Sequence, residues 1–460
     1  MKKKLSLIVF LFLLGGSFYF LNSSLRFKYD DGIYGMENFY RQERNSINLI
    51  AVGSSHIYDG IVPAMFWEKY HITSYCLGGS IQPVWNSYYY IKEALKTQKP
   101  DVIILDTYSF LYYKNSDFIY SDESRIVKNT FGMKLSRDKY DAVKVSTPQD
   151  EFWNYLLEFP VYHSRISELT KSDYLPYLGE ESYYRYWMGN KVNEGTIAID
   201  RNDTSNITRR IPLSEKNAFY LEKIIALTKE KGVPLLVITV PYEILEEDQA
   251  VFNSVADALE KNDVPYVNFN AAEYTKSYQY DHDFADAGHL NVFGNDIFTD
   301  QLGSYLMKNY SFHHQVSADT AYSYNQAAAY LEEIRADVQI RNAPELQSMI
   351  PLLRNENIIT IAEVSHMASG YLASLGIMND TSADENKAYV LSDGNLLSPE
   401  GEFVYEDKES RIYVKNGKIN IDGTEYNQKI SSGARIIVYD LIRNRIVIDK
   451  IYNETGQETK

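Results

Sequence analysis

The sequence predicts an α/β protein built on a mostly parallel sheet, with a membrane helix before it and a β-rich domain after it. Three observations carry this. A charge-free apolar run at residues 5–21 follows three lysines. Short apolar runs rich in β-branched residues then alternate with segments of helical composition up to residue 310. Beyond residue 310, short strand-like runs are punctuated by Asp-Gly and Asn-Gly pairs, the signature of hairpin turns.

From the N-terminus, LSLIVFLFLLGGSFYFL would rise ~25 Å as a helix, at the short end of a membrane span. The lysines before it predict a cytoplasmic N-terminus and a translocated remainder. A cleaved signal peptide has the same build, but SFYFLN at 17–22 holds no small-x-small cleavage site, which favours an uncleaved anchor over residues 1–25. The expectation is a single-pass membrane protein with an extracellular body.

INLIAVG (47–53) reads as the first buried strand, and SYYYIKEALKTQ (87–98) as a helix. DVIILD (101–106) is a second strand and GVPLLVITVP (232–241) a third, the latter after the amphipathic run SEKNAFYLEKIIALTKEK. FNSVADALEKN leads as a helix to a fourth strand at 264–270, and 295–310 closes the unit as a helix. Strands alternating with helices predict a parallel sheet for a domain at 45–310. Its long polar and aromatic stretch, about 112–210, reads as an insertion that shapes the mouth of a site. Residues 311–325 read as a linker, and 326–455 as a β-rich second domain.

Composition excludes several classes of function. The 460 residues carry 62 acidic and 46 basic side chains, a net charge of -16 that argues against a nucleic-acid partner. A single cysteine, Cys76, rules out an intramolecular disulfide and a multi-cysteine zinc site. The 40 tyrosines suit either half-buried packing or stacking surfaces for sugars.

Two loops fall where chemistry is expected. Gly53-Ser54-Ser55-His56 follows the first strand, and ligands of parallel sheets sit beyond the carboxyl ends of strands. Asp286-Ala287-Gly288-His289 lies between the last strand and the last helix. An aspartate three residues before a histidine can hold the imidazole Nδ1–H, leaving Nε2 to take a proton from a hydroxyl. A serine hydroxyl needs such a base to act as a nucleophile. No G-x-S-x-G elbow is present, which disfavours an α/β-hydrolase. No phosphate-cradling glycine loop, zinc or calcium signature occurs either, and the chemistry expected here needs no cofactor.

These residues resemble the SGNH (GDSL-type) hydrolase superfamily over about 45–310. VGSSHIYDGI is similar to its first block, where the third residue of Gly-x-Ser is the nucleophile, which implies Ser55 rather than Ser54. SYCLGGSIQP is similar to the second block, implying that the amide of Gly78 or Gly79 joins that of Ser55 as oxyanion donor. DHDFADAGHLNVFG is similar to the last block and implies Asp286 and His289 as the rest of the triad. Ser54, His56 and Asn291 are implied as further lining residues. The third block departs: the family offers Gly-x-Asn-Asp, whereas DVIILDTYSF has no Asn.

That departure and the N-terminal helix are similar to a subgroup of membrane-anchored SGNH-like proteins that acylate cell-surface polymers. EFPVYHSRISELTKSDY (158–174) also resembles their middle region, which adds His163 and Arg165 as candidates. The resemblance implies a three-layer SGNH/flavodoxin-like fold and an O-acyltransferase, with acetyl transfer passing through an acyl group on Ser55. It also implies a glycan acceptor and an acyl donor delivered by a multi-spanning membrane O-acyltransferase. A carbohydrate esterase with the same triad, or a non-catalytic glycan-binding surface protein, are the alternatives. GARIIVYDLIRNRIVIDKIYN and MIPLLRNENIITIAEVSHMASGYLASLGI resemble segments of the interleukin-like EMT inducer (PANDER-like) domain in permuted order, implying a glycan-binding or spacer role. His313, His314 and His366 read as solvated or structural rather than metal-binding.

Overall fold

A computed structural model describes residues 2–111, 123–170, 173, 187–313, 316–365, 370–377, 387–397, 401–407, 410–415, 417–426, 430 and 432–459. His314 and His366 lie outside the described residues. The chain divides into two compact units, Met1–Ala328 and Ala329–Lys460.

The first unit begins with helix α1 (Lys2–Leu25), in which Ile8–Leu25 is long and apolar enough to cross a membrane. Its apolar side chains are exposed along most of its length, whereas Ser24 and Leu25 at its end are buried in the body. Strand β1 (Leu49–Gly53) runs into α2 (Ser55–Gly60), followed by α3 (Pro63–Tyr70), β2 (Ser74–Gly78) and α4 (Val84–Ala94). β3 (Val102–Asp106) precedes the insertion, whose stretch 123–167 is largely helical: α5 (Glu123–Thr130), α6 (Arg137–Ser146), α7 (Phe152–Leu157), α8 (Phe159–Tyr162) and a 3₁₀ turn at His163–Ser167. The unit continues with α9 (Glu215–Lys231), β4 (Leu235–Thr239), α10 (Glu246–Glu260) and β5 (Tyr266–Asn268). A two-stranded ribbon, β6 (Phe284–Asp286) with β7 (His289–Leu290), leads into α11 (Val292–Asn309).

The five strands form one parallel sheet in the order β2-β1-β3-β4-β5. Every residue of β1 to β4 is buried, as a parallel sheet covered on both faces requires. Alternate side chains feed two separate cores. Ile50, Val52, Ile103, Leu105 and Val237 pack with α4, α9 and α10, while Leu49, Ala51, Ile104, Leu236 and Ile238 pack with α2, α3 and α11. From β1 the chain steps out to β2 at the sheet edge, crosses back over β1 to β3, and then runs on in the opposite direction through β4 and β5. Loops at the carboxyl ends of β1 and β3 therefore frame a crevice.

The edge strand β2 has no counterpart among the strands expected from sequence, because SYCLG lacks the β-branched apolar run of its neighbours. Residues expected as a linker at 311–325 are helical from Ala318 onward, in α12 (Ala318–Asn342). Tyr324 of that helix is buried, with its hydroxyl donating to the Ser74 carbonyl at 2.6 Å and its ring against Trp67.

The second unit is β-rich and antiparallel. β8 (Ile358–Val364), β9 (Lys387–Ser392), β10 (Asn395–Leu397), β15 (Ala434–Asp440) and β16 (Arg445–Tyr452) form a sheet in the order β10-β9-β8-β15-β16. A second sheet contains β11 (Glu402–Glu406), β12 (Arg411–Lys415), β13 (Lys418–Ile421) and β14 (Thr424–Glu425). β8 and β15 are buried throughout, the central position their apolar sequences suit.

Candidate active site

The site grows from the turn after β1. Gly53 ends the strand where a side chain has no room: a Cβ there would lie 2.6 Å from Asp106 Cβ and 2.8 Å from Ile57 Cγ1. Ser54 is the N-cap of α2, its Oγ accepting from the His56 amide at 3.3 Å. The same hydroxyl donates to Asp106 Oδ2 at 2.5 Å, which also accepts from the Ser54 amide at 3.1 Å. Asp106 Oδ1 takes the Tyr108 amide at 2.7 Å. Burial pushes the Asp106 carboxyl up to about 6, against the pull of these hydrogen bonds. Ser54 is thus held as a brace between β1 and β3.

Ser55, the next residue, is the first of α2 and points the other way. Its Oγ lies 2.8 Å from His289 Nε2. His289 Nδ1 lies 2.8 Å from Asp286 Oδ1 and 3.0 Å from Oδ2. The three side chains therefore form one connected chain of hydrogen bonds. Asp286 is drawn in by the Gly288 amide, which donates to its Oδ1 at 2.7 Å, and the Glu243 amide ties down the Ala287 carbonyl at 2.9 Å. Burial opposes ionisation of Asp286, but its hydrogen bond and charge pairing with His289 outweigh it and hold the carboxyl below its ordinary value. For His289 burial favours the neutral ring, yet Asp286, followed by Asp59, raises its pKa above the ordinary value.

Asn291 is wholly buried as the N-cap of α11. Its Oδ1 accepts from the amides of Phe293 at 3.0 Å and Gly294 at 3.1 Å. Its Nδ2 donates to the carbonyls of His282 at 2.6 Å and Gly195 at 3.1 Å. It clamps the loop that carries Asp286 and His289 rather than facing a ligand. The end of the insertion runs across the same region: Lys191 N donates to the Tyr58 carbonyl at 2.8 Å, Ile197 N to Phe284 at 3.0 Å, and Val292 N to Asn193 at 3.0 Å. The turn that begins this run rests on β2, where Gly189 at φ +74° leaves no space for a Cβ, 1.9 Å from the Cys76 carbonyl.

Two residues around the triad carry buried, unsatisfied polar atoms. His56 is 2% exposed, and neither ring nitrogen has a hydrogen-bond partner among the described residues. Its ring stacks on Tyr108 at 3.7 Å and meets Tyr242 and His289 edge-on. Burial, then the nearby His289 charge, drives its pKa well below the ordinary value, so the ring is neutral. Asp59, one turn after Ser55 on α2, places Oδ2 3.6 Å from His289 Nε2, while its Oδ1 has no partner among the described residues. Burial pushes this carboxyl up to about 7 against the attraction of His289 and Lys191. Asp59 went unread in the sequence because a lone carboxylate at i+4 from a serine has no motif of its own; helical periodicity was the available signal.

The glycines of the second block lie beside this turn. Gly78 pairs with Gly53 in the ladder, and a Cβ on it would stand 3.1 Å from both the Gly53 and Ser54 carbonyls. The Gly79 amide donates to the Gly53 carbonyl at 3.3 Å, so it is already engaged by the chain. A Cβ on Gly79 would lie 2.4 Å from Asn129 Oδ1, which brings an asparagine of the insertion against the second block.

His163 and Arg165 are directed elsewhere. His163 Nδ1 is 2.7 Å from the Pro160 carbonyl, and its ring is exposed. Arg165 Nη1 donates to the carbonyls of Leu25 at 2.5 Å and Arg26 at 3.0 Å, with Nη2 on Asp173 at 3.2 Å. Arg165 thus serves the end of α1, while His163 packs within its own turn against Phe159. Cys76 is fully buried within β2, where burial raises the thiol above its ordinary value. Among the described residues no group of three or more His, Cys, Asp or Glu side chains is arranged to hold a metal ion.

Open space completes the geometry. The Asp286 side chain is 55% exposed and that of His289 24%, so solvent and a ligand reach the triad. A scan of the chain against protein-family models and a search of curated proteins each return no match.

Proposed function

We propose that the protein is a serine acyltransferase of the SGNH type, anchored by α1, that moves an acyl group, acetyl by preference, onto a cell-surface polysaccharide. The observation that carries this reading is the hydrogen-bonded chain Ser55 Oγ–His289 Nε2 and His289 Nδ1–Asp286. The sheet order β2-β1-β3-β4-β5, which is flavodoxin-like, and the position of Ser55 at its crevice fit the same assignment.

In this mechanism His289 Nε2 takes the Ser55 hydroxyl proton as Oγ bonds to the acyl carbonyl carbon. The tetrahedral oxyanion is met by the Ser55 amide, which has no intrahelical acceptor at the first position of α2. The bond to the leaving group then breaks, and the proton on Nε2 passes to that group. An acceptor hydroxyl attacks the Ser55 ester, giving its proton to Nε2, and the proton returns to Oγ as the ester bond breaks. Asp286 holds the ring and stabilises its charged form throughout.

Anchoring rather than cleavage of α1 is supported by its C-terminal end. Leu25 belongs to the cluster of Phe131, Phe152 and Tyr162, and Lys28 Nζ caps the carbonyls of Ser23 at 2.7 Å and Ser24 at 3.2 Å. A helix built into the body in this way is a structural part of it. The membrane O-acyltransferase partner rests on the sequence resemblance.

A second reading, carbohydrate esterase, is favoured by the exposure of Asp286 and His289, since water reaching the Ser55 ester would hydrolyse it. The test is to incubate the purified chain with an acetyl ester donor, with and without acceptor oligosaccharide, and to follow acylated glycan and free acetate separately. Transfer to glycan supports the acyltransferase. Acetate alone assigns the esterase, and neither product, with donor intact, refutes both.

A further inference from the structure

The segment that grips the end of α1 has a divided surface. Its charges turn inward: Glu158 pairs with Arg26 at 3.1 Å and with Lys139, and Arg165 reaches Asp173 and the last carbonyls of α1. Its buried aromatics, Phe152, Tyr155 and Tyr162, join the core that receives Leu25. The ring of Phe159 packs on Phe18 of α1, centroids 5.5 Å apart, and the Tyr162 hydroxyl donates to Asn22. Outward from these same turns project three large apolar side chains, Trp153 at 60%, Leu157 at 63% and Ile166 at 68% exposure. The exposed polar side chains of these turns are Asn154, His163, Ser164 and Ser167, with none of Asp, Glu, Lys or Arg among them; the exposed acids Asp150 and Glu168 flank the stretch.

We propose that residues 152–167 lie in the membrane–water interface, with Trp153, Leu157 and Ile166 seated among lipid headgroups and the upper acyl chains. The proposal rests on the reading of α1 as a membrane anchor. The face is continuous with that helix, through Phe18–Phe159 and the Arg165 contacts, so a bilayer around α1 meets these turns next. Tryptophan is a residue of such interfaces, where an apolar body and a polar N–H are both accommodated. Large apolar side chains beside short polar ones fit that zone better than bulk water or the hydrocarbon core. The consequence is that the body is held against the bilayer in one orientation instead of swinging on a tether.

The test uses the full chain reconstituted in phosphatidylcholine–phosphatidylglycerol vesicles. Because the sole cysteine, Cys76, is buried, Trp153→Cys, Leu157→Cys and Ile166→Cys can each be spin-labelled singly. Phe12→Cys in α1 and Glu230→Cys, on an exposed side chain of α9, are the references. The proposal predicts that collisions with oxygen exceed those with a water-soluble nickel chelate at 153, 157 and 166, the same sign as at 12 and opposite to 230. If those three positions match 230 while 12 reports lipid, the interface proposal is overturned and the anchor stands. If position 12 itself reports water, the anchor reading and this proposal both fall.

Discussion

The neighbouring serines of the Gly53-Ser54-Ser55 turn have opposite fates, and substitution separates them. Ser55→Ala removes the proposed nucleophile and should lower turnover by a factor on the order of 10⁶ without loss of stability. Ser54→Ala removes an N-cap and a hydrogen bond to buried Asp106, and should cost about 1–3 kcal/mol while leaving Ser55 and His289 able to react. Urea unfolding and acyl-ester turnover on both variants check this; a stable Ser54→Ala that is dead in turnover would reverse the assignment. Asp59 makes a subtler prediction. Its carboxylate faces His289 Nε2 and favours the charged ring, and activity requires the neutral one. Asp59→Asn should therefore move the acid limb of kcat/KM to lower pH, and a limb that stays in place or moves upward would exclude this electrostatic role. Ser55, Asp286 and His289, which hydrogen bonds join in the fold, were legible because Gly-Ser-Ser-His and Asp-Ala-Gly-His are compact and adjoin strands. The sequence concealed Asp59 and Asp106, whose roles arise from where a helix turn and a neighbouring strand end.

Among the elements, the strands at 49–53, 102–106 and 235–239 were legible as unbroken apolar runs, and the helix at 215–231 from its amphipathic pattern. β2 escaped notice because its Ser, Tyr and Cys are buried by neighbours that the local pattern does not reveal. The insertion was expected to shape the mouth of the site, and residues 190–197 do run beside it. Its helical first half packs against the end of α1, where Arg165 binds the Leu25 and Arg26 carbonyls, in keeping with a structural rather than a site-lining role for Arg165 and His163. Asn291 was placed among lining residues, yet it joins α11 to the His289 loop from within. Asn291→Ala should lose the cap and leave buried carbonyls unpaired, costing about 1–3 kcal/mol, and lower activity by disordering Asp286 and His289. Hydrogen exchange at residues 282–290 reads this directly: faster exchange there supports the clamp, and unchanged exchange with full activity opposes it.

At the scale of the whole molecule, buried acids set how stability responds to pH. Asp59 at about 7 and Asp106 at about 6 in the first unit, and Asp440 at about 7 in the second, are all raised chiefly by burial. A carboxyl with a raised folded pKa binds more protons folded than unfolded, so its contribution weakens as pH rises from the ordinary carboxylate range through about 7. His289, also raised, acts with the same sign near neutrality, and His56, lowered, acts against it. Both units should melt at higher temperature near pH ~5.5 than near pH ~8, by calorimetry at fixed ionic strength; a midpoint that climbs with pH would contradict the balance. The division into an α/β unit and a β-rich unit was readable from the change in texture after residue 310. The helix at 318–342 was not, since its polar sequence resembles a linker until Tyr324 is seen in the core.

The central claim, that Ser55 is a nucleophile activated by His289, is tested most directly by intact-mass and peptide mass spectrometry after rapid quench with an activated acetyl ester. The account predicts a single acetyl group on the peptide carrying Ser55, absent from Ser55→Ala and His289→Ala. An unmodified Ser55 in a folded protein that still consumes the ester, or a label that persists in Ser55→Ala, would contradict it.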